Sequence, residues 1–262
     1  MEARPDFSQI LAESSSILIL LGENPDFDKI AAALSLYLSV RSLGKSVSIS
    51  SPSQMVVASN RLVGIDKISQ ELGGKNLRIT FKDYQAEGIE RVSYDVEGGQ
   101  FFLTVIPKTG APSPKPEQVD ISFTGIGGVD ALFLIGVNGL SELGGLNKPE
   151  LLSIPRVLVV GIESPGLDIA RSRPTEVIDP FSESLSEVVG NLILSNNLPL
   201  DEDIAANLFQ GLIKTTANFT SPKVRAETFQ IAAELVRAGA KKAAVSTPSG
   251  GPVSIAEPDV VS

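Results

Sequence analysis

The stretch ENPDFDKIAAALSLYLSVRSLGKSV, residues 23–47, decides the fold. It follows SSILILLG (15–22), a short apolar run of the kind that forms a strand buried on both faces. From Asp28 to Gly44 the apolar residues recur at helical spacing, and Gly44 suits a C-terminal cap. KSVSIS (45–50) then reads as a second strand. Strand, helix and strand at this spacing make a βαβ unit of about 30 residues, which requires a parallel pair. Asp26 and Asp28 fall on the loop between the first strand and its helix. In parallel sheets such loops line the ligand crevice. Two carboxylates there suit a hard divalent cation. On spacing alone they better suit a helix N-terminus, where an acidic residue caps the helix and complements its dipole.

The same alternation continues outward. VDALFLIGV (129–137) and RVLVVGI (156–162) predict further buried strands. Residues 182–197, 201–219 and 225–240 predict helices. Between the two α/β portions, NLRITF (76–81), IERVSYDVEG (89–98) and QFFLTVIP (100–107) are rich in β-branched and aromatic residues. EGG (97–99) reads as a hairpin turn, and KTGAPSPKPEQ (108–118) as a Pro-rich loop. The expectation is an α/β domain over 1–240, a largely parallel sheet flanked by helices, with an antiparallel β insertion at about 74–125. The insertion's Tyr94, Phe101 and Phe102 are expected to pack onto the main sheet. Residues 241–262, rich in Ser, Pro and Gly, read as a flexible tail.

Composition removes several chemistries. The chain has no cysteine and no histidine, so thiolate sites, disulfides and imidazole catalysis cannot come from these residues. A net charge of −9 argues against a broad nucleic-acid face. The first residues do not read as a signal peptide, and ILILLG is too short to span a bilayer, so a cytoplasmic protein with no membrane association is expected. The glycines of 127–145 do not have the dinucleotide-binding spacing between strand and helix.

The quoted stretch resembles the first motif of the DHH phosphoesterase superfamily, which includes RecJ-type exonucleases, oligoribonuclease/pAp phosphatases and family II pyrophosphatases. VDALFLIGV resembles the second motif, and VLVVGIESPG stands where the Asp-His-His strand would. VIDPFSESLSEVVGNLI resembles the Asp-Pro and Ser-rich helix that follows, and residues 201–240 resemble the last two helices. The resemblance covers about 14–64 and 129–240. It implies the DHH fold and, for active members, two manganese or magnesium ions that activate a hydroxide against phosphorus.

Carried over position by position, Asp26 and Asp28 match the two first-motif carboxylates. Gly22 stands at the first-motif His, and Gly136 at the bridging Asp of the second motif. Glu163, Ser164 and Pro165 stand at the Asp-His-His triplet, and Thr215 at the fourth-motif Asp. Glu163 and Asp168 are the substitute ligands within reach of the triplet position, and Arg171 and Arg173 are candidate phosphate contacts beside it. Lys214 could replace a metal charge with an ammonium. The DHHA1 domain that follows in family enzymes is expected to be absent.

The resulting expectation is a degenerate, catalytically inactive DHH-like protein acting as a binding or assembly module. It would have no resident cofactor beyond residual Mn²⁺ or Mg²⁺ at Asp26 and Asp28. Asn24, Asp26, Asp28 and Lys214 would form a residual phosphate or nucleotide site, with a nucleotide or short RNA as partner. The alternatives are an active metal-dependent oligoribonuclease or pAp phosphatase with atypical ligands, and a structural protein that forms homo-oligomers.

Overall fold

A computed structural model describes residues 6–55, 59–72, 76–124, 126–164 and 174–241. A short helix, α1 (Phe7–Glu13), capped by Asp6, leads into the first βαβ unit. That unit comprises β1 (Ser16–Leu20), α2 (Phe27–Ser42) and β2 (Ser46–Ser50). Every residue of β1 is buried, as the continuous apolar run requires of a strand covered on both faces. Gly44 lies just past α2 with φ 79°, a left-handed turn that its lack of a Cβ permits.

Four further strands complete a six-stranded, all-parallel sheet. They are β3 (Ile68–Ser69) and, after the insertion, β8 (Ala131–Ile135), β9 (Arg156–Gly161) and β10 (Thr175–Ile178). Between β3 and β8 run β4 (Asn76–Phe81), β5 (Ile89–Glu97), β6 (Gln100–Pro107) and β7 (Val119–Thr124). The sheet order is β10-β9-β8-β1-β2-β3. Helices α3 (Leu185–Ser195), α4 (Glu202–Thr215) and α5 (Ala226–Arg237) follow.

The strand order fixes which face each connection covers. The chain steps one way from β1 to β2 and the other way from β8 to β9. Right-handed crossovers then place the two connections on opposite faces. Accordingly α2 packs on the face formed by Ile17, Ile19, Phe133, Ile135, Leu158 and Val160, in one core shared with α1, α3, α4 and α5. The opposite face, formed by Leu18, Leu20, Leu132, Leu134, Val157 and Val159, is covered by the 3-10 segments Leu140–Leu146 and Pro149–Ser153. Buried serines bind α2 to its neighbours: Ser39 donates to the Pro199 carbonyl at 2.6 Å and Ser35 to the Ile204 carbonyl of α4 at 3.3 Å.

The insertion forms two antiparallel pairs, β4 with β7 and β5 with β6. The β5–β6 turn is Gly98–Gly99, with φ 58° and 80°, the conformation that two-residue hairpin loops demand. The expected packing of its aromatic residues onto the main sheet is not found. Tyr94 is 75% exposed and Phe101 67%, and neither joins either core cluster. The hairpin's apolar side chains alternate with charged ones along β5, and the apolar face, with Val92, Tyr94 and Val96, is open to solvent.

Asn207 of α4 is wholly buried and exchanges two 2.9 Å hydrogen bonds with the backbone of Val63, pinning the segment between β2 and β3. Asn207→Leu leaves the part-buried Val63 N–H and C=O without these partners and puts an apolar side chain in their place. It is expected to cost about 2–4 kcal/mol of unfolding free energy in urea titration. A loss under about 0.5 kcal/mol would contradict this pinning role.

Candidate functional site

The reversal of strand order lies between β1 and β8. Ligand crevices of open parallel sheets form at such a switch point, outside the carboxyl ends of the strands. Here those ends lead into Leu21–Pro25 and into Gly136–Gly139, and the N-terminus of α2 points at the same place.

Asp26 is the N-cap of α2, and its carboxylate accepts from Lys29 N–H at 2.9 Å. Asp28, two residues on, is buried in the first turn. Its side chain reaches the N-terminus of α3. Oδ2 accepts from Leu185 N–H at 2.7 Å, and Oδ1 accepts from Ser186 N–H and Ser184 Oγ–H at 3.1 Å each. The Ser186 hydroxyl donates to Oδ1 as well. Burial pushes the Asp28 carboxyl up from the usual aspartate value, against the pull of these donors. The arrangement is an anion seated on a helix N-terminus, where unpaired amides and the dipole favour negative charge.

Three glycines show how completely neighbouring side chains occupy the crevice. Gly136 stands at the position of the second-motif Asp and has φ 62°. A Cβ there would lie 2.5 Å from Leu185 Cδ1 and 3.2 Å from the stem of Lys29. At Gly22 a Cβ would lie 3.1 Å from Glu142 Oε2. At Gly144 it would overlap the Glu23 carboxylate. Glu23 N–H donates to the Glu142 carbonyl at 2.7 Å, which holds the 3-10 segment over the end of β1. A cavity of about 90 Å³ remains beside Asn24, Pro25, Ile30, Gln54 and Met55.

The other candidate residues are dispersed in role. Asn24 has φ 47°, and its N–H donates to Ser53 Oγ at 2.8 Å. Lys214 is exposed in the last turn of α4, and Glu163 is exposed after β9. Asp168, Arg171 and Arg173 lie outside the described residues. Phe27 packs against the core, with the Arg61 guanidinium 4.5 Å from its ring centroid. Among the described residues, no group of three or more Asp, Glu, His or Cys side chains could hold a metal ion. The two ions implied by the family resemblance therefore do not fit the described residues. Asp28 spends its oxygens on α3, and Gly136 has no room for a side chain.

Sequence reasoning missed the network behind this site. Glu187 of α3 is buried and accepts from Thr228 Oγ1 and from Arg225, each at 3.0 Å, and Arg225 also pairs with Asp179 at 2.9 Å. It joins the starts of α3 and α5. The one local signal was a glutamate three residues after the Ser184 cap, which also fits a capping box.

No family model matches the sequence. A 64-residue segment, 24% of this chain and 20% of the relative, is 36% identical to an uncharacterized Mycoplasma pneumoniae protein, the MG371 homolog. Two solved structures share the architecture. One is an exopolyphosphatase-related protein from Bacteroides fragilis, with TM-score 0.60 and 18% identity over 90% of this chain. The other is a candidate family II inorganic pyrophosphatase from Methanococcus jannaschii, with TM-score 0.50 and 14% identity over 85% of this chain. This chain has their fold. It spans about half the length of each of them, 56% in both cases, and at these identities the likeness is one of fold and not of activity.

Two substitutions probe the Asp28 seat. Asp28→Asn would place an amide N–H₂ or a single oxygen among four donors, and is expected to lose about 2–4 kcal/mol in denaturant unfolding. Gly211 of α4 packs on the same point: a Cβ there would overlap Ser186 Oγ and lie 2.7 Å from Asp28 Oδ1. Replacing a helical glycine by alanine ordinarily gains about 1 kcal/mol. Here Gly211→Ala is expected to lose about 1–3 kcal/mol instead, and a stabilised variant would refute this packing.

Proposed function

We propose that this chain is a member of the DHH phosphoesterase superfamily that no longer performs two-metal hydrolysis and serves as a binding or assembly module. Membership rests on the motif resemblance in chain order together with the shared fold. Loss of hydrolysis rests on one observation above all. The Asp28 carboxylate, a metal ligand in the family pattern, is buried and hydrogen-bonded to Ser184, Leu185 and Ser186. A buried carboxylate that already accepts four hydrogen bonds, three of them on Oδ1, is poorly placed to coordinate a hydrated Mg²⁺ or Mn²⁺.

Of the two module roles, assembly has more support. Three of the four residues of the residual nucleotide site serve the chain itself: Asn24 contacts Ser53, Asp26 caps α2 and Asp28 holds α3, while Lys214 is exposed. The crevice offers a small cavity and crowded glycines, whereas the insertion offers an open apolar face.

The test is phosphoester and phosphoanhydride turnover with Mn²⁺ or Mg²⁺, using pAp, an RNA dinucleotide and inorganic pyrophosphate. Release of product at the rate of the protein-free blank is expected, with the same result for Asp26→Asn. Metal-dependent turnover that vanishes in Asp26→Asn would establish the active-enzyme alternative and overturn this reading.

A further inference from the structure

Several exposed apolar residues of the chain gather on the β5–β6 ribbon. The register pairs Val92 with Val105, Tyr94 with Leu103 and Val96 with Phe101. Alternate residues of a strand share a face, so these six side chains stand together. Val92, Tyr94, Val96, Phe101 and Leu103 are 46–75% exposed, and the Tyr94 and Phe101 rings stack at 6.1 Å. Arg91, Asp95 and Glu97 alternate onto the opposite face; Glu90, unpaired at the bulge between Ile89 and Arg91, lies at the end of the ribbon, and the six paired side chains themselves carry no formal charge.

Two physical facts favour a cover for this face. The ribbon is a sheet of only two strands, and an isolated hairpin is at best marginally stable in water. The apolar area is also large. With aromatic side chains offering about 150–250 Å² each, these exposures present on the order of 500 Å², toward the upper end of the largest apolar patch on a typical monomer, and patches of that size are often functional. Two such faces in contact would bury about 1,000 Å², the size at which a specific interface becomes plausible.

We propose that this face closes on the same face of a second copy of the chain, forming an isologous two-fold dimer in which two ribbons make a four-stranded sandwich. The inference rests on, and gives a partner to, the assembly role proposed above. A second copy fits the chemistry of the surface. An uncharged apolar face meets itself without stranding a charge. Two chains of net charge −9 repel over most of their surfaces and approach best where neither carries charge.

Sedimentation velocity should find the chain at twice its monomer mass. The double variant Tyr94→Lys/Phe101→Lys should sediment as a monomer with an unchanged far-ultraviolet circular dichroism spectrum. Because the chain lacks cysteine, a single introduced thiol reports the contact even if those lysines disturb the ribbon. Under mild oxidation Leu103→Cys should form a disulfide-linked dimer, and Asp95→Cys, on the other face, should not. A monomeric parent, or equal crosslinking from the two faces, would overturn the dimer. A monomeric parent inert toward phosphoesters would leave the non-hydrolytic reading standing, and a dimeric parent with metal-dependent turnover would do the reverse.

Discussion

The buried carboxylate of Asp28 is the constraint on which the arrangement of helices depends. It leaves the first turn of α2 and is gripped by Ser184, Leu185 and Ser186 at the start of α3. A further helix, α4, meets the same point through Gly211, where nothing larger than hydrogen fits. A buried anion is tolerable only when it is paired or fully hydrogen-bonded. Here four donors and a helix dipole meet that condition, so the three helices cannot shift independently without stranding the charge.

The seat of Asp28 also explains the state of the crevice. The residue whose amide binds Oδ2 is Leu185, and its side chain is the one that bars a Cβ from Gly136. Holding α3 on Asp28 and filling the position of the bridging carboxylate are thus one packing event. An Asp placed at 136 would meet Leu185, and the φ of 62° disfavours any Cβ there. A shared fold does not carry a shared site, and at these positions the chain's own packing takes up the space.

Much of the fold was legible in the sequence because its signals are local. The periodicity from Asp28 onward, the glycine that ends α2 and the continuous apolar runs of β1, β8 and β9 depend on neighbours in the chain. The Gly98–Gly99 hairpin was legible for the same reason. Short elements were not: α1, β3 and β10 have seven, two and four residues, too few to display a period, and β7 follows directly on a Pro-rich loop that masks it. The site was legible only in part. Asp26 as cap follows from its place before a helix. The partner of Asp28 lies more than 150 residues away, so no spacing rule could tell a metal ligand from an acceptor for α3. The open face of the insertion was misjudged because alternation in a strand shows which residues share a face, not what covers it.

The most direct test of this account is the thermal unfolding midpoint of the chain in excess Mn²⁺ and in chelator. A ligand that binds the native state raises its stability, and the gain grows with ligand concentration. If Asp28 serves α3, the two midpoints agree across the titration. A saturable upward shift with Mn²⁺ that disappears in Asp28→Asn would mean that the carboxylate is a metal ligand after all, and would contradict the account at its centre.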